Sequence, residues 1–82
     1  AAAWDWYALA ARQGHARAQM NLGLMAASGQ GGPLDLQQAY IWLSMAQAAG
    51  VAGAEKSLRQ TAARMRESDL ILVRQRLEAL AA

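Results

Sequence analysis

The side chains that most often carry catalysis are few and scattered in this chain of 82 residues. The only histidine is His15, and the chain contains no cysteine. A structural or catalytic metal site needs three or four protein ligands, so a lone histidine without clustered carboxylates predicts none. The serines lie outside any nucleophile motif: Ser28, Ser44, Ser57 and Ser68. We therefore expect no catalytic, cofactor-binding or metal-binding residue, and no enzymatic activity.

The carboxylates and the glycine-rich stretch also predict structure rather than chemistry. The acidic residues are spread along the chain, mostly at helix starts or on polar faces: Asp5, Asp35, Glu55, Glu67, Asp69 and Glu78. Residues 28–33 read S-G-Q-G-G-P, without the preceding strand and following lysine that a phosphate-binding loop requires. We interpret this stretch as the connection between two helical units.

Most of the positive charge lies in the last third of the chain, at Lys56, Arg59, Arg64, Arg66, Arg74 and Arg76. Such a cluster can bind phosphate groups or an acidic protein surface. However, the net charge is only +2, no aromatic residue lies within the cluster, and three acidic residues dilute it. We therefore expect no nucleic-acid binding, while an acidic protein partner stays open.

The chain contains an internal repeat with a period of 36 residues. Residues 3–22 and 39–58 share seven identities in twenty positions, at Trp, Gly and small residues: Ala3/Ala39, Trp6/Trp42, Ala10/Ala46, Gly14/Gly50, Ala16/Ala52, Ala18/Ala54 and Leu22/Leu58. A fixed period of about 20–50 residues is typical of stacked repeat arrays. Each unit in such an array buries its apolar face against its neighbours.

The spacing of apolar residues predicts an all-α chain. Helices are expected over about residues 2–13, 16–28, 35–49, 52–65 and 68–80, with Asp35 or the residue before it starting the third. Gly14 and Gly50 should end the first helix of each hairpin, because glycine adopts the left-handed conformation without a steric penalty. Gly53 is expected in the first turn of the fourth helix, and Ser68 as the cap of the fifth. The aromatic residues expected in the core are Trp6, Tyr7 and Trp42.

Residues 6–25 read W-Y-A-L-A-A-R-Q-G-H-A-R-A-Q-M-N-L-G-L-M, and Gly29, Gly31, Asp35 and Ala39-x-x-Trp42 follow. This pattern resembles the Sel1-like repeat, a relative of tetratricopeptide arrays, over residues 3–58. Ala26 and Gly32 depart from the family pattern, which usually has a tyrosine and an aliphatic residue there. The resemblance implies a right-handed α-α superhelix of two helical hairpins plus a C-terminal capping helix. Repeat 1 would span about residues 1–32, repeat 2 about 33–66 and the capping helix about 67–82, in one domain that is a fragment of a longer array.

The resemblance also implies a non-enzymatic protein–protein interaction or scaffold module that binds a peptide or protein in its concave groove. Trp4 and Tyr40 occupy equivalent positions on the side that lines this groove in such arrays, where aromatic residues can anchor a partner. Equally, Trp4 could pack on an upstream repeat. The predicted partner-binding residues are Trp4, Asp5, Arg12, Tyr40, Ile41 and Ser44. Two alternatives stay open: a regulatory or targeting appendage of a larger enzyme, and a structural homo-oligomerisation element.

The two ends of the array are expected to differ. Leu70, Val73, Leu77 and Leu80 recur at helical spacing and predict an amphipathic helix that covers the last hairpin. No equivalent element precedes Ala1, so the N-terminal face is expected to be uncapped and to allow a homodimer. No apolar run approaches the roughly 20 residues that span a bilayer, which predicts no membrane insertion. The composition, rich in alanine and arginine, suggests a bacterial protein, either periplasmic or cytoplasmic.

Overall fold

The computed structural model describes residues 14–30 and 34–81, without the side chains of residues 80 and 81. This part of the chain is helical and contains no strand, which confirms the all-α prediction for it. The helix expected over residues 2–13, with Trp6 and Tyr7, lies outside the described residues. The described helices are α1 (Ala16–Ser28), α2 (Leu36–Ala48), α3 (Ala54–Arg64) and α4 (Glu67–Ala81).

Helix α2 is the central element, because α1, α3 and α4 all pack against it. This order is consistent with helical hairpins stacked along the chain. Among the described residues, most of the buried apolar side chains are alanines, which let the helix axes approach, and the largest fully buried ones are Leu22, Leu43 and Val73. In α4 the predicted inward stripe is confirmed at Val73, and Leu70 and Leu77 beside it are half-buried.

Helices α1 and α2 approach each other closely at Gly23. A Cβ atom added there would lie 2.6 Å from Cγ of Leu43 and 3.3 Å from the carbonyl oxygen of Ala39. The first distance is too short for any Cβ atom, and the second is tighter than most Cβ contacts in a close-packed interior. The Leu43 side chain therefore occupies the space that a larger residue at position 23 would need, so a substitution there forces Leu43 to shift.

The C-terminal end of α1 is capped by hydrogen-bond donors from residues further along the chain. Gly29 has a φ of 77°, the left-handed conformation that commonly ends a helix. The backbone N–H of Asp35 donates to the carbonyl oxygen of Ala26 at 2.9 Å. Nη1 of Arg64 donates to the carbonyl oxygen of Ala27 at 2.7 Å. These bonds satisfy carbonyl groups that the helix itself leaves without donors.

The turn between α2 and α3 confirms the predicted role of its glycine. Gly50 has a φ of 82°, and its N–H donates to the carbonyl oxygen of Gln47 at 2.9 Å. The N–H of Val51 donates to the carbonyl oxygen of Ala46 at 3.0 Å, which completes a Schellman motif. Gly14, the equivalent residue of the first copy, has a φ of 88°. Both copies of the repeat therefore have a left-handed glycine at this position.

Two predicted helix starts are wrong. The fourth helix was expected to begin at Ala52, but α3 begins at Ala54 because Gly53 has a φ of 83°, which is incompatible with a right-handed helix. Ser68 was expected to cap the fifth helix, but α4 begins at Glu67, so Ser68 lies inside its first turn. A residue inside the first turn cannot be the cap that precedes it.

Asp35 caps α2, and its replacement by alanine should cost about 1 kcal/mol of stability. Its Oδ1 accepts a hydrogen bond from the backbone N–H of Gln38 at 3.1 Å, and its extended φ of −150° suits the cap position. Asp35→Asn keeps an acceptor oxygen and should cost less than about half as much. Urea denaturation of both variants measures the difference. An equal loss in the two variants would mean that the side-chain oxygen contributes nothing.

Candidate functional site

An open cleft of about 530 Å³ lies where α4 packs against α2. Four of its lining residues come from α2, at spacings of three, four and seven that place them on one helix face, and two come from α4. These residues are Gln38, Ile41, Trp42, Met45, Arg76 and Ala79. The cleft therefore offers a mainly apolar surface with one amide and one guanidinium.

This cleft continues along the contact between the two helices. A second depression, of about 470 Å³, shares Arg76 and Ala79 with it and adds Gln37, Leu72 and Gln75. A third shares Gln37 with the second and reaches the start of both helices, at Leu34, Asp35, Leu36, Met65 and Asp69. We call these three contiguous depressions the α2/α4 groove.

The α2/α4 groove has opposite charges towards its two ends. Asp35 and Asp69 lie at the end where the helices begin, and Arg76 lies further along α4. Asp69 and Arg76 are two helical turns apart, or about 10 Å along the axis of α4. Neither of these two side chains forms an ion pair or a hydrogen bond within the part of the chain that the structure describes. Both charges are therefore available to a ligand.

The predicted partner-binding residues are placed in different ways. Ile41 lines the cleft and is 8% exposed. Tyr40 and Ser44 are half-buried in α2 and are not among the residues that line this cleft. The other three predicted residues, Trp4, Asp5 and Arg12, lie outside the described residues. Of the three that the structure describes, only Ile41 lines the groove with the residues of α4.

Trp42 was expected in the buried core, but the structure corrects this prediction. The side chain is half-buried and lines the cleft. Ala39, Leu43 and Ala46 form the fully buried stripe of α2. A helix turns by about 100° per residue, so Trp42 points about 100° away from Leu43. The tryptophan therefore lies beside the core rather than within it.

Sequence analysis missed Gln38, Met45, Arg76 and Ala79. On α2 the helical spacing of 38, 41, 42 and 45 is a signal that could have grouped the first two with Ile41 and Trp42. On α4 no comparable signal exists, because the flank that faces α2 depends on how α4 docks. Arg76 looked like one more member of the dispersed basic cluster.

The described residues contain no candidate metal site and no membrane-spanning helix. His15 is exposed at the start of α1 and makes no side-chain capping hydrogen bond. Within residues 14–30 and 34–81, no three histidine, cysteine, aspartate or glutamate side chains come together in a way that could hold a metal ion. Among the same residues, no helix has the length and apolar character needed to cross a membrane.

Comparisons of the chain with models of protein families, with curated proteins and with solved structures found no match. The likeness to Sel1-like repeats therefore rests on the sequence pattern, with which the all-helical arrangement is consistent. The residues and charges of the α2/α4 groove are the remaining basis for assigning a function.

Proposed function

We propose that this chain is a non-enzymatic protein–protein interaction module that binds a peptide or protein segment in the α2/α4 groove of a Sel1-like helical array. The observation that carries the proposal is the cleft itself. It combines Trp42, Ile41 and Met45 with a single guanidinium, that of Arg76. Tryptophan and arginine are the residues that most often dominate binding energy at protein interfaces.

The shape and chemistry of the groove favour a polypeptide over a small molecule. Its depressions follow two helices for several turns and stay open to solvent, whereas small-molecule pockets usually enclose most of the ligand. Glutamine side chains at positions 37, 38 and 75 offer amide donors and acceptors that can pair with a peptide backbone. The guanidinium of Arg76 can bind a carboxylate of the ligand with two parallel hydrogen bonds.

The position of the groove agrees with the proposed right-handed α-α superhelix. In arrays of this kind the first helix of each hairpin lines the concave side. Helix α2 is the first helix of the second repeat, and α4 follows that repeat where the first helix of another would begin. A groove between α2 and α4 is therefore the place where a concave binding surface is expected.

Selection from a displayed library of random peptides, about 12 residues long, tests this proposal. We expect enriched peptides that combine apolar residues with a carboxylate and bind with dissociation constants of about 1–100 µM. Trp42→Ala and Arg76→Ala should each weaken binding at least about tenfold, because they remove the apolar anchor and the ion-pairing group. Isothermal titration calorimetry with the selected peptides measures both effects.

Arg74→Ala is the matched control, because it removes the same side chain from an exposed position of α4 that lines none of the three depressions. It should leave affinity unchanged. Tyr40→Ala tests the position predicted from the sequence repeat. Failure to enrich any peptide, or equal binding by the Trp42→Ala and Arg76→Ala variants, would reject the groove as the binding site.

A further inference from the structure

The flank of α4 that borders the α2/α4 groove has an anion, an apolar centre and a cation in line. Asp69 and Arg76 lie two turns apart, and Leu72 lies between them on the same flank. Leu72 is 51% exposed, which is high for a leucine with neighbouring helices. A surface with this order of charges is complementary to itself when one copy is turned end over end.

We propose that this flank of α4 binds the same flank of a second copy of the chain, with the two helices antiparallel about a two-fold axis. The midpoint between positions 69 and 76 falls beside Leu72, so the axis passes near this residue. Asp69 then lies opposite the partner's Arg76, and symmetry repeats the pair on the other side of the axis. Leu72 and the partner's Leu72 exclude water between the two ion pairs.

The charges select the antiparallel arrangement. A parallel arrangement would place Asp69 against the partner's Asp69 and Arg76 against the partner's Arg76, and like charges in contact oppose association. The contact involves one helix flank on each copy, so its area is at the small end of specific interfaces. We therefore expect a reversible dimer with a dissociation constant of about 10–100 µM rather than a permanent one.

This dimer is distinct from the one expected at the N-terminal face, which involves residues outside the described part of the chain. The dimer does not depend on the proposed peptide binding, because self-association is measured with no ligand present. Arg76 belongs to both surfaces, so a second copy and a peptide compete for the same guanidinium. The free dimer is then a form in which part of the groove is covered.

Sedimentation equilibrium between about 5 µM and 1 mM tests the dimer, a range that brackets the expected dissociation constant. Asp69→Arg and Arg76→Asp should each raise the dissociation constant at least about tenfold, because each places like charges together twice. Combining both changes in one chain should restore self-association, because every pair is again of opposite sign. An equimolar mixture of the two single variants should also associate, since each ion pair is rebuilt between the different chains.

Arg74→Asp is the control, because it makes the same charge change on another side of α4 and should leave the dimer intact. Leu72→Ser removes the apolar centre without touching either charge, and it should produce a monomer even if a charge variant fails to fold. Circular dichroism checks that each variant is helical. A wild-type chain that stays monomeric up to 1 mM, or a dimer that persists in folded single-charge or Leu72→Ser variants, overturns the proposal.

Discussion

Replacing Leu43 by alanine is expected to lower the free energy of unfolding by about 3 kcal/mol. Leu43 is fully buried in α2, the helix on which the other three described helices pack. Its side chain lies over Gly23 of α1, which has no side chain that could move into the space left behind. The cavity would therefore remain, and a cavity adds to the loss of apolar burial.

The same contact predicts that the effect of Gly23→Ala on the free energy of unfolding depends on the residue at position 43. The substitution should destabilise the chain that has Leu43 and stabilise the Leu43→Ala chain. In the wild-type chain the new methyl group meets Leu43 and the backbone of Ala39, and overpacking of this kind costs about 1–3 kcal/mol. Alanine also gains about 1 kcal/mol in helix propensity over glycine. The net effect should be a loss of about 1 kcal/mol with Leu43 present and a gain of similar size in the Leu43→Ala chain.

Urea denaturation of the wild type, the two single variants and the double variant measures this coupling. Leu24→Ala is the control for the leucine change, because Leu24 is 42% exposed on α1 and should lose less than about 1 kcal/mol. Strictly additive effects at positions 23 and 43 would contradict the close contact between α1 and α2.

Local signals in the sequence were sufficient for most helix boundaries. The predicted span 16–28 matches α1, and Asp35 and Gly50 stand at the ends of α2 as expected. These signals succeed because a cap or a left-handed glycine acts within one turn of the chain. The predicted helix starts near Gly53 and Ser68 were wrong for two reasons. Glycine occurs both inside and before helices, and either of two neighbouring polar residues can precede a helix.

The candidate site was less predictable, because it depends on contacts between distant segments. Ile41 could be expected from the repeat, but its partners Arg76 and Ala79 belong to a helix whose docking angle no local pattern specifies. The prediction of a core position for Trp42 rests on the usual burial of large aromatic residues. In the structure, the core positions of α2 are occupied by its alanines and by Leu43. Trp4, Asp5 and Arg12 stay predictions.

Val73→Asp should detach α4 from α2, with a cost of about 3 kcal/mol or more at neutral pH. Val73 is the one buried residue among the described side chains of α4, and an aspartate there would be an unpaired charge without water. Ile71→Asp is the matched control: Ile71 is also β-branched, lies two positions away and is 50% exposed, so its replacement should cost less than about 0.5 kcal/mol.

Hydrogen exchange separates detachment of α4 from global unfolding. An isolated helix of 15 residues is marginal in water, so the amides of α4 should lose protection in the Val73→Asp chain. The amides of α1 and α2 should keep theirs, because the contact between Gly23 and Leu43 does not involve α4. Equal loss of protection in all four helices would show instead that α4 is part of one cooperative unit.

Detachment of α4 should also abolish the α2/α4 groove. Every depression of the α2/α4 groove has lining residues from both helices or from their N-terminal ends, so the groove exists only while α4 is docked. The Val73→Asp chain should therefore lose both peptide binding and the α4-mediated dimer, although none of its groove-lining residues has changed. The Ile71→Asp chain should keep both. A Val73→Asp chain that still binds selected peptides would place their site on α1 to α3 and not in the groove.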